Sequence, residues 1–401
     1  MTTLVELQSQ RRSLVWTLGL GAFGLAFSLT VVAAYLPPLL GGFTDSTTLI
    51  ALVLAAEGLF ALTLPVVIGP WSDTFHTPLG RRRPFMLVAI GPMAFCLALV
   101  AFMPSFWTAA LIVFAFFFAY YVYEPPYRGL YPDLLPEDRY GSSQGAQHVL
   151  RGVAIGVALV GGGFLYHAWE PFPFLAAAVI GAAACGAPIV LVREDGGHGR
   201  VFKGVRAYVA SSWQLFRADG GVRRFLIANA AWEGTFAAAR TFVVLYVIVG
   251  LGESIAVSSL VLAAVAGGYT VAAVVAGSLA SRFGLANVIL VGSAVYGGGY
   301  LLGALPTEWR LWYLAPIFGV AIAGGLVMTL AWGLLYSVMP EEQRGTAAGL
   351  ATTTKGLGLI VGPVVAGGAI DLFGYRTLWP ICGAFVLSAI PLLGSLRTAD
   401  R

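Results

Sequence analysis

Residues 129–163 are written a second time at 333–367, and the two stretches align without a gap. Gly129, Leu130, Pro136, Glu137, Gly141, Gly145, Gly152, Val157, Val160 and Gly163 meet Gly333, Leu334, Pro340, Glu341, Gly345, Gly349, Gly356, Val361, Val364 and Gly367. Arg151 meets Lys355, and a glycine follows each. Each copy reads as the end of one helix, a charged turn opened by Pro-Glu, and a glycine-laced apolar helix with one cation inside it. A repeat of roughly 200 residues is too long for a solenoid unit. The chain must therefore fold as two related halves.

Those halves belong in a lipid bilayer. Of 401 residues, 58% are hydrophobic and 10% charged, against about 25% charged in a soluble domain. The expected class is an all-α polytopic membrane protein. The net charge of +4 is no nucleic-acid signal, because the basic residues collect in loops, where topology wants them. Cys96, Cys185 and Cys382 all lie in apolar segments, so no disulfide framework is expected. Arg11 and Arg12 precede an apolar run longer than a signal-peptide core, so no cleaved leader is expected.

Twelve spans are expected at 14–40, 47–70, 84–103, 107–130, 143–167, 171–192, 222–250, 254–280, 286–305, 309–339, 345–369 and 374–396. The halves are then 1–192 and 222–401, joined by a polar, basic linker at 193–221. A six-helix half repeated in parallel is an architecture of secondary transporters. One set of loops carries Arg81, Arg82, Arg83, Arg128, Arg139, Arg193, Lys203, Arg217, Arg282 and Arg344, among others. The other set holds only Arg310 and Arg376. The positive-inside rule puts the rich side, and both termini, in the cytoplasm, with the chain in the cell membrane.

Glu57, Glu124, Arg151, Glu233, Arg240 and Lys355 sit well inside the spans. A charge at the bilayer centre costs about 2.5–3.5 kcal/mol even on a lenient insertion scale. These residues must therefore face the interior and largely compensate one another. By depth, Glu124 matches Arg151, while Glu57, Glu233 and Lys355 lie near the midplane. Glu57 is expected either to pair with Lys355 or Arg151 or to stay protonated. A lone buried carboxyl favours its protonated form, which is what a proton-coupling site needs. Glu57, Glu124 and Glu233 are the expected proton-coupling residues.

Helical spacing supplies their neighbours. Asn229, Glu233, Phe236 and Arg240 make one stripe, with Trp232 beside it. Gln144, Gln147, His148 and Arg151 make a second, Tyr120, Tyr123, Glu124 and Tyr127 a third, and Met328, Trp332 and Tyr336 a fourth. Amides and cations beside aromatic rings suit a polar organic solute such as a sugar. The expected solute-binding residues are Tyr120, Glu124, Gln147, Arg151, Asn229, Trp232, Glu233, Arg240, Trp332 and Lys355. The glycine pairs Gly152/Gly156 and Gly345/Gly349 are expected to mark close helix packing. No P-loop, no Cys/His metal constellation and no Ser-His-Asp set is legible. No enzyme activity, cofactor or metal is expected.

The turn after span 2 reads Gly69-Pro-Trp-Ser-Asp73, then Gly80-Arg81-Arg82-Arg83-Pro84. Its counterpart in the second half keeps Gly277, Arg282 and Gly284 but has Ser281 in place of Asp73. This pair resembles the inner-loop signature of the major facilitator superfamily. The spaced form, with Glu124-Pro-Pro126-Tyr-Arg-Gly-Leu130-Tyr-Pro132, Arg151 and Lys355-Gly356, is similar to two of its groups. These are the glycoside–pentoside–hexuronide cation symporters and the sucrose–proton symporters. Where the sodium-using members carry paired acids, this chain has Ala61 and Pro65, and span 1 has no acid.

The resemblance implies a twelve-helix fold in two pseudo-symmetric halves, working as a monomer. It implies proton-coupled symport of a sugar or similar small polar solute by alternating access. Gly69, Asp73, Gly80, Arg81, Arg82 and Arg83 would latch one conformation. The alternatives are a proton-driven exporter of drugs or metabolites and a non-transporting membrane sensor or assembly factor.

Overall fold

The computed structural model describes residues 4–74, 77–135, 140–192, 204–337 and 344–394. These residues are helical almost throughout. The chain runs α1 (Leu4–Gly41), α2 (Thr47–Thr74), α3 (Arg83–Val100), α4 (Phe106–Leu134), α5 (Tyr140–Ala168), α6 (Phe172–Leu191) and α7 (Val205–Ala218). It continues with α8 (Gly220–Leu245), α9 (Ile255–Phe283), α10 (Leu285–Leu302), α11 (Leu314–Ser337), α12 (Arg344–Phe373), α13 (Leu378–Ser388) and α14 (Ile390–Gly394). Among the described residues, 12 segments are long and apolar enough to cross a membrane, from Leu14–Gly41 to Tyr375–Gly394. They follow the expected spans closely. Side chains such as Val190 and Val274, 77% and 78% exposed, suit lipid rather than water.

Local chemistry sets the helix ends. Ser105 opens α4 with a capping box, accepting from the Thr108 amide while the Thr108 hydroxyl accepts from the Ser105 amide. The Asp219 carboxylate accepts from Val222 N at 2.9 Å and opens α8. Gly284, at φ +82°, ends α9 and turns the chain directly into α10. The segment 193–221, expected as a linker, contains α7, where Trp213 stacks on Phe216 and Leu215 is buried.

By packing, the chain divides into two units. One holds residues 1–36 and 63–202; the other holds 37–62 and 203–401. The division runs through α1 and α2, so it does not coincide with the boundary between the sequence repeats.

In the first unit, α1 is held by small residues and tyrosines. The Tyr35 hydroxyl donates to Leu159 O at 2.8 Å, and Tyr127 donates to Leu18 O at 2.6 Å. A Cβ on Gly21 would sit 2.3 Å from the Tyr127 ring. In the second unit, α8 and α12 touch backbone to backbone. A Cβ on Gly362 would lie 2.0 Å from Gly234 O, and one on Gly358 would lie 2.7 Å from Ala230 O. The start of α2 lies on the other side of α12, with Gly58 opposite Gly356 and Thr47 opposite Gly367. Gly152 and Gly156 do not behave this way. A Cβ at either meets nothing within 4 Å among the described residues, so the close packing expected of that pair is not seen among them. Gly345 and Gly349 lie outside the residues whose surroundings are described.

Candidate functional site

The second unit contains a buried ion pair. Arg240 on α8 reaches Glu57 on α2 at 2.5 Å; the Glu57 side chain is 4% exposed and that of Arg240 22%. The guanidinium also lies over the Phe236 ring, 5.8 Å from its centroid, a favourable cation–π placement. Glu57 had been expected to pair with Lys355 or Arg151 or to stay protonated. Its partner is Arg240, because the first part of α2 packs in the second unit beside α8.

The rest of the α8 stripe divides by role. Asn229 is buried, and its amide donates to Ala351 O and Thr354 Oγ1 at 3.2 and 3.1 Å. It fastens α8 to α12. Glu233 is 8% exposed, packed where Gly358 leaves room for its Cβ. Trp232 is fully buried in the core of the unit, its edge on Phe225. Its indole nitrogen has no hydrogen-bond partner among the described residues. Lys355 is half-buried and has no ion pair or hydrogen bond among the described residues. Leu357 and Val361, at 44% and 46% exposure, mark the lipid side of α12. Helical geometry turns Lys355 away from both.

In the first unit, Glu124 pairs with Arg128 at 2.7 Å, one turn along its own helix. The expected partner was Arg151. The i,i+4 neighbour takes the carboxylate because it needs no tertiary contact to reach it. Arg151 is half-buried and makes no ion pair or hydrogen bond among the described residues. The Gln147 amide nitrogen is buried with no hydrogen-bond partner among them. Tyr120 is buried among Phe116 and Tyr121. Tyr123 and Tyr127 spend their hydroxyls on backbone carbonyls of Cys185 and Leu18. They brace helices. The side chains of Gln144, His148, Trp332 and Tyr336 lie outside the described residues.

The arginine turn also finds a carboxylate, and it is Asp133. Arg81 Nη2 and Arg82 Nε both donate to its Oδ2, at 2.8 and 2.7 Å. Arg83 donates to Ile189 O. Gly80 takes φ +102° to make the turn. Gly129 is required for the contact: a Cβ there would lie 1.7 Å from Arg82 Nη1. Gly69 sits at ordinary distance from Pro125. The Asp73 side chain lies outside the described residues.

Residues 18–355, and overlapping them 236–401, match the family described as the Major Facilitator Superfamily. The chain belongs to the Major Facilitator Superfamily. It is 31% identical over 220 residues to the class G tetracycline resistance protein of Vibrio anguillarum, covering 53% of this chain and 54% of that one. It is 32% identical over 108 residues to the multi-drug resistance efflux pump PmrA of Streptococcus pneumoniae, covering 27% and 24%. The chain spans about half the length, or less, of the curated relatives it matches. Among solved structures, the nucleoside transporter NupG superposes with a TM-score of 0.77 at 14% identity, covering 96% of this chain and 98% of that one. A bacterial homolog of the human lysosomal transporter Spinster, inward-facing and occupied, gives 0.74 at 13%, covering 97% of each. At such identities the likeness is one of fold.

The Major Facilitator Superfamily is a family of multi-pass membrane transporters and not of enzymes, and the twelve long apolar segments among the described residues agree with that membership. Asp133 was missed in the sequence because its repeat mate is Ser337, so the repeat gives no hint of an acid there. Asp371 was missed as well. From α12 it accepts from Thr47 N, Thr48 N and the hydroxyls of Ser46, Thr47 and Thr48, at 2.6–3.0 Å. One carboxylate thus caps the start of α2. The run Asp45-Ser-Thr-Thr48 signals a helix start, but no local pattern says which acid will serve it.

Proposed function

We propose that the chain is a proton-coupled secondary transporter that moves a small polar solute, a sugar or sugar-like molecule, by alternating access. The halves at 1–192 and 222–401 rock about the linker region, both termini are cytoplasmic, and the protein works as a monomer. The supporting observation is the Glu57–Arg240 pair with Glu233 two turns away on α8. A buried carboxylate–guanidinium pair is costly to break by removing one charge and cheap to exchange for an equivalent partner. Protonation of Glu57 would free Arg240 to take a hydroxyl or acid of the solute, or Glu233. That swap biases a two-state bundle. Lys355, which makes no ion pair or hydrogen bond among the described residues of the same unit, would add to the solute's hydrogen bonds. Arg81, Arg82 and Asp133, with Asp73, would latch one conformation.

The resemblance at Gly69–Arg83, Glu124–Pro132 and Lys355-Gly356 to glycoside and sucrose symporters supports import. A second reading, proton-driven export, is supported by the similarity to the class G tetracycline resistance protein and PmrA. The two separate in vesicles of known orientation under an imposed pH gradient, with labelled sucrose, uridine and tetracycline as probes. Import predicts accumulation of sucrose or uridine when the outside is acid. Gradient-dependent expulsion of tetracycline with no sucrose or uridine uptake would establish the exporter and overturn symport.

A further inference from the structure

Three tyrosine hydroxyls lie in a row inside the second unit. Tyr300 donates to the Tyr296 hydroxyl at 3.1 Å, and Tyr296 meets the Tyr269 hydroxyl at 3.3 Å. Tyr296 is 1% exposed, while Tyr300 and Tyr269 at the two ends are half-buried. Tyr300 lies close to the Leu302 end of α10, and Tyr269 falls at the centre of α9. The row therefore links the C-terminal part of α10 to the centre of α9.

At its inner end the row meets the candidate site. The Tyr269 ring packs on Phe236 of α8, centroids 5.8 Å apart, and Glu233 lies one turn back along the same helix. Arg240 and Glu57 are the other charged groups near Phe236. Helices α10, α11 and α13 contain no Asp, Glu, Lys, Arg or His, and the Cys382 thiol is the further titratable group facing Tyr296 and Tyr300. Thus Glu233 is the carboxylate that the row leads to.

Space for these rings is built in. A Cβ on Gly324 would lie 2.6 Å from the Tyr296 ring, and one on Gly325 would lie 3.0 Å from the Tyr269 Cα. Phenylalanines would fill that space equally well and would leave no hydroxyl to satisfy in hydrocarbon. A hydroxyl can accept a proton on one lone pair while passing its own onward, so a row of hydroxyls conducts protons without any ring becoming charged for long.

We propose that Tyr300, Tyr296 and Tyr269 form a proton-conducting row that loads Glu233 from the α10 C-terminal side of the membrane. The inference rests on the proton-coupled reading above. In one passage, a hydronium ion gives a proton to the Tyr300 oxygen and is left as water, and Tyr300 gives its own proton to Tyr296. Tyr296 passes its own to Tyr269, and Tyr269 gives its own to the Glu233 carboxylate. Each hydroxyl ends neutral with its hydrogen reversed and rotates back before the next passage.

The test needs no solute. Protein in oriented proteoliposomes receives an acid pulse on the α10 C-terminal side, and the rise of the Glu233 carboxylic-acid infrared band is timed. The band is identified by its loss in Glu233→Gln. Wild-type protein should show the band, and Tyr296→Phe should reach the same amplitude at a rate slower by on the order of 100-fold, the low end for a positioned proton donor. Tyr300→Phe serves as the second variant if Tyr296→Phe fails to fold. A wild-type rate in a folded Tyr→Phe variant overturns the row and leaves proton coupling standing. Absence of any Glu233 band in wild-type protein overturns the row as a route to Glu233 and leaves coupling through Glu57 standing.

Discussion

Arg240 on α8 and Glu57 on α2 form a salt bridge at 2.5 Å, with the carboxylate almost wholly buried. The two residues belong to different sequence halves, yet they pack in one structural unit. Removing one charge leaves the other without its counter-charge in a dry place. Glu57→Gln or Arg240→Gln alone should therefore destabilise the protein by about 3–5 kcal/mol. The double variant should recover most of that loss. Thermal unfolding in detergent of the two single variants and the double checks it. Additive losses would mean that the pair is not coupled.

The Asp371 carboxylate takes five hydrogen bonds from the Ser46–Thr48 turn. Asp371→Ala should cost about 0.5–2 kcal/mol, the range for loss of a helix N-cap acceptor. Asp371→Asn, which keeps one acceptor oxygen, should cost less. Hydrogen exchange at the Thr47 and Thr48 amides localises the effect. Unchanged protection there in the alanine variant would contradict the capping role.

Repeat mates need not share a role. A Cβ on Gly356 would lie 3.0 Å from Gly58 O, whereas one on Gly152 meets nothing within 4 Å among the described residues. Gly152→Ala should be neutral or stabilising by up to about 1 kcal/mol, as for a helix interior. Gly356→Ala should destabilise by about 1–3 kcal/mol through overpacking. Comparing their melting temperatures decides the matter, and equal shifts would argue against the asymmetry.

Gly129→Ala should act through Arg82. The new methyl occupies the guanidinium's place, so Arg82 loses Asp133 while Arg81 can keep it. Gly129→Ala and Arg82→Ala should show similar losses of stability, and their combination little more than either alone. A fully additive combination would mean that Gly129 matters for some other reason.

Much of the fold was legible because the bilayer asks a simple question of each segment. Length and apolarity placed the spans, down to the turn at Gly284, where a positive φ separates α9 from α10. Charge partners were harder to read. Depth matched Glu124 to Arg151, but the four-residue spacing to Arg128 was already in the sequence and took precedence. Glu57 could not be matched from the sequence, since nothing local says that α2 begins beside α8. Trp232 reads in the sequence as a solute-facing aromatic, and in this structure it packs in the core of the second unit. An aromatic stripe looks the same whether it faces a cavity or a neighbouring helix. The tyrosines at 269, 296 and 300 lie on two helices, so no single periodic stripe contains all three.

The central claim is that solute and proton move together through the Glu57–Arg240 pair. The direct measurement is solute-induced proton movement in proteoliposomes holding a pH dye, with sucrose and uridine added in turn. Wild-type protein is predicted to alkalinise the side to which its solute is added. Glu57→Gln is predicted to abolish that signal while solute exchange across the membrane continues. Exchange without proton movement in wild-type protein, or undiminished proton movement in Glu57→Gln, would contradict the account.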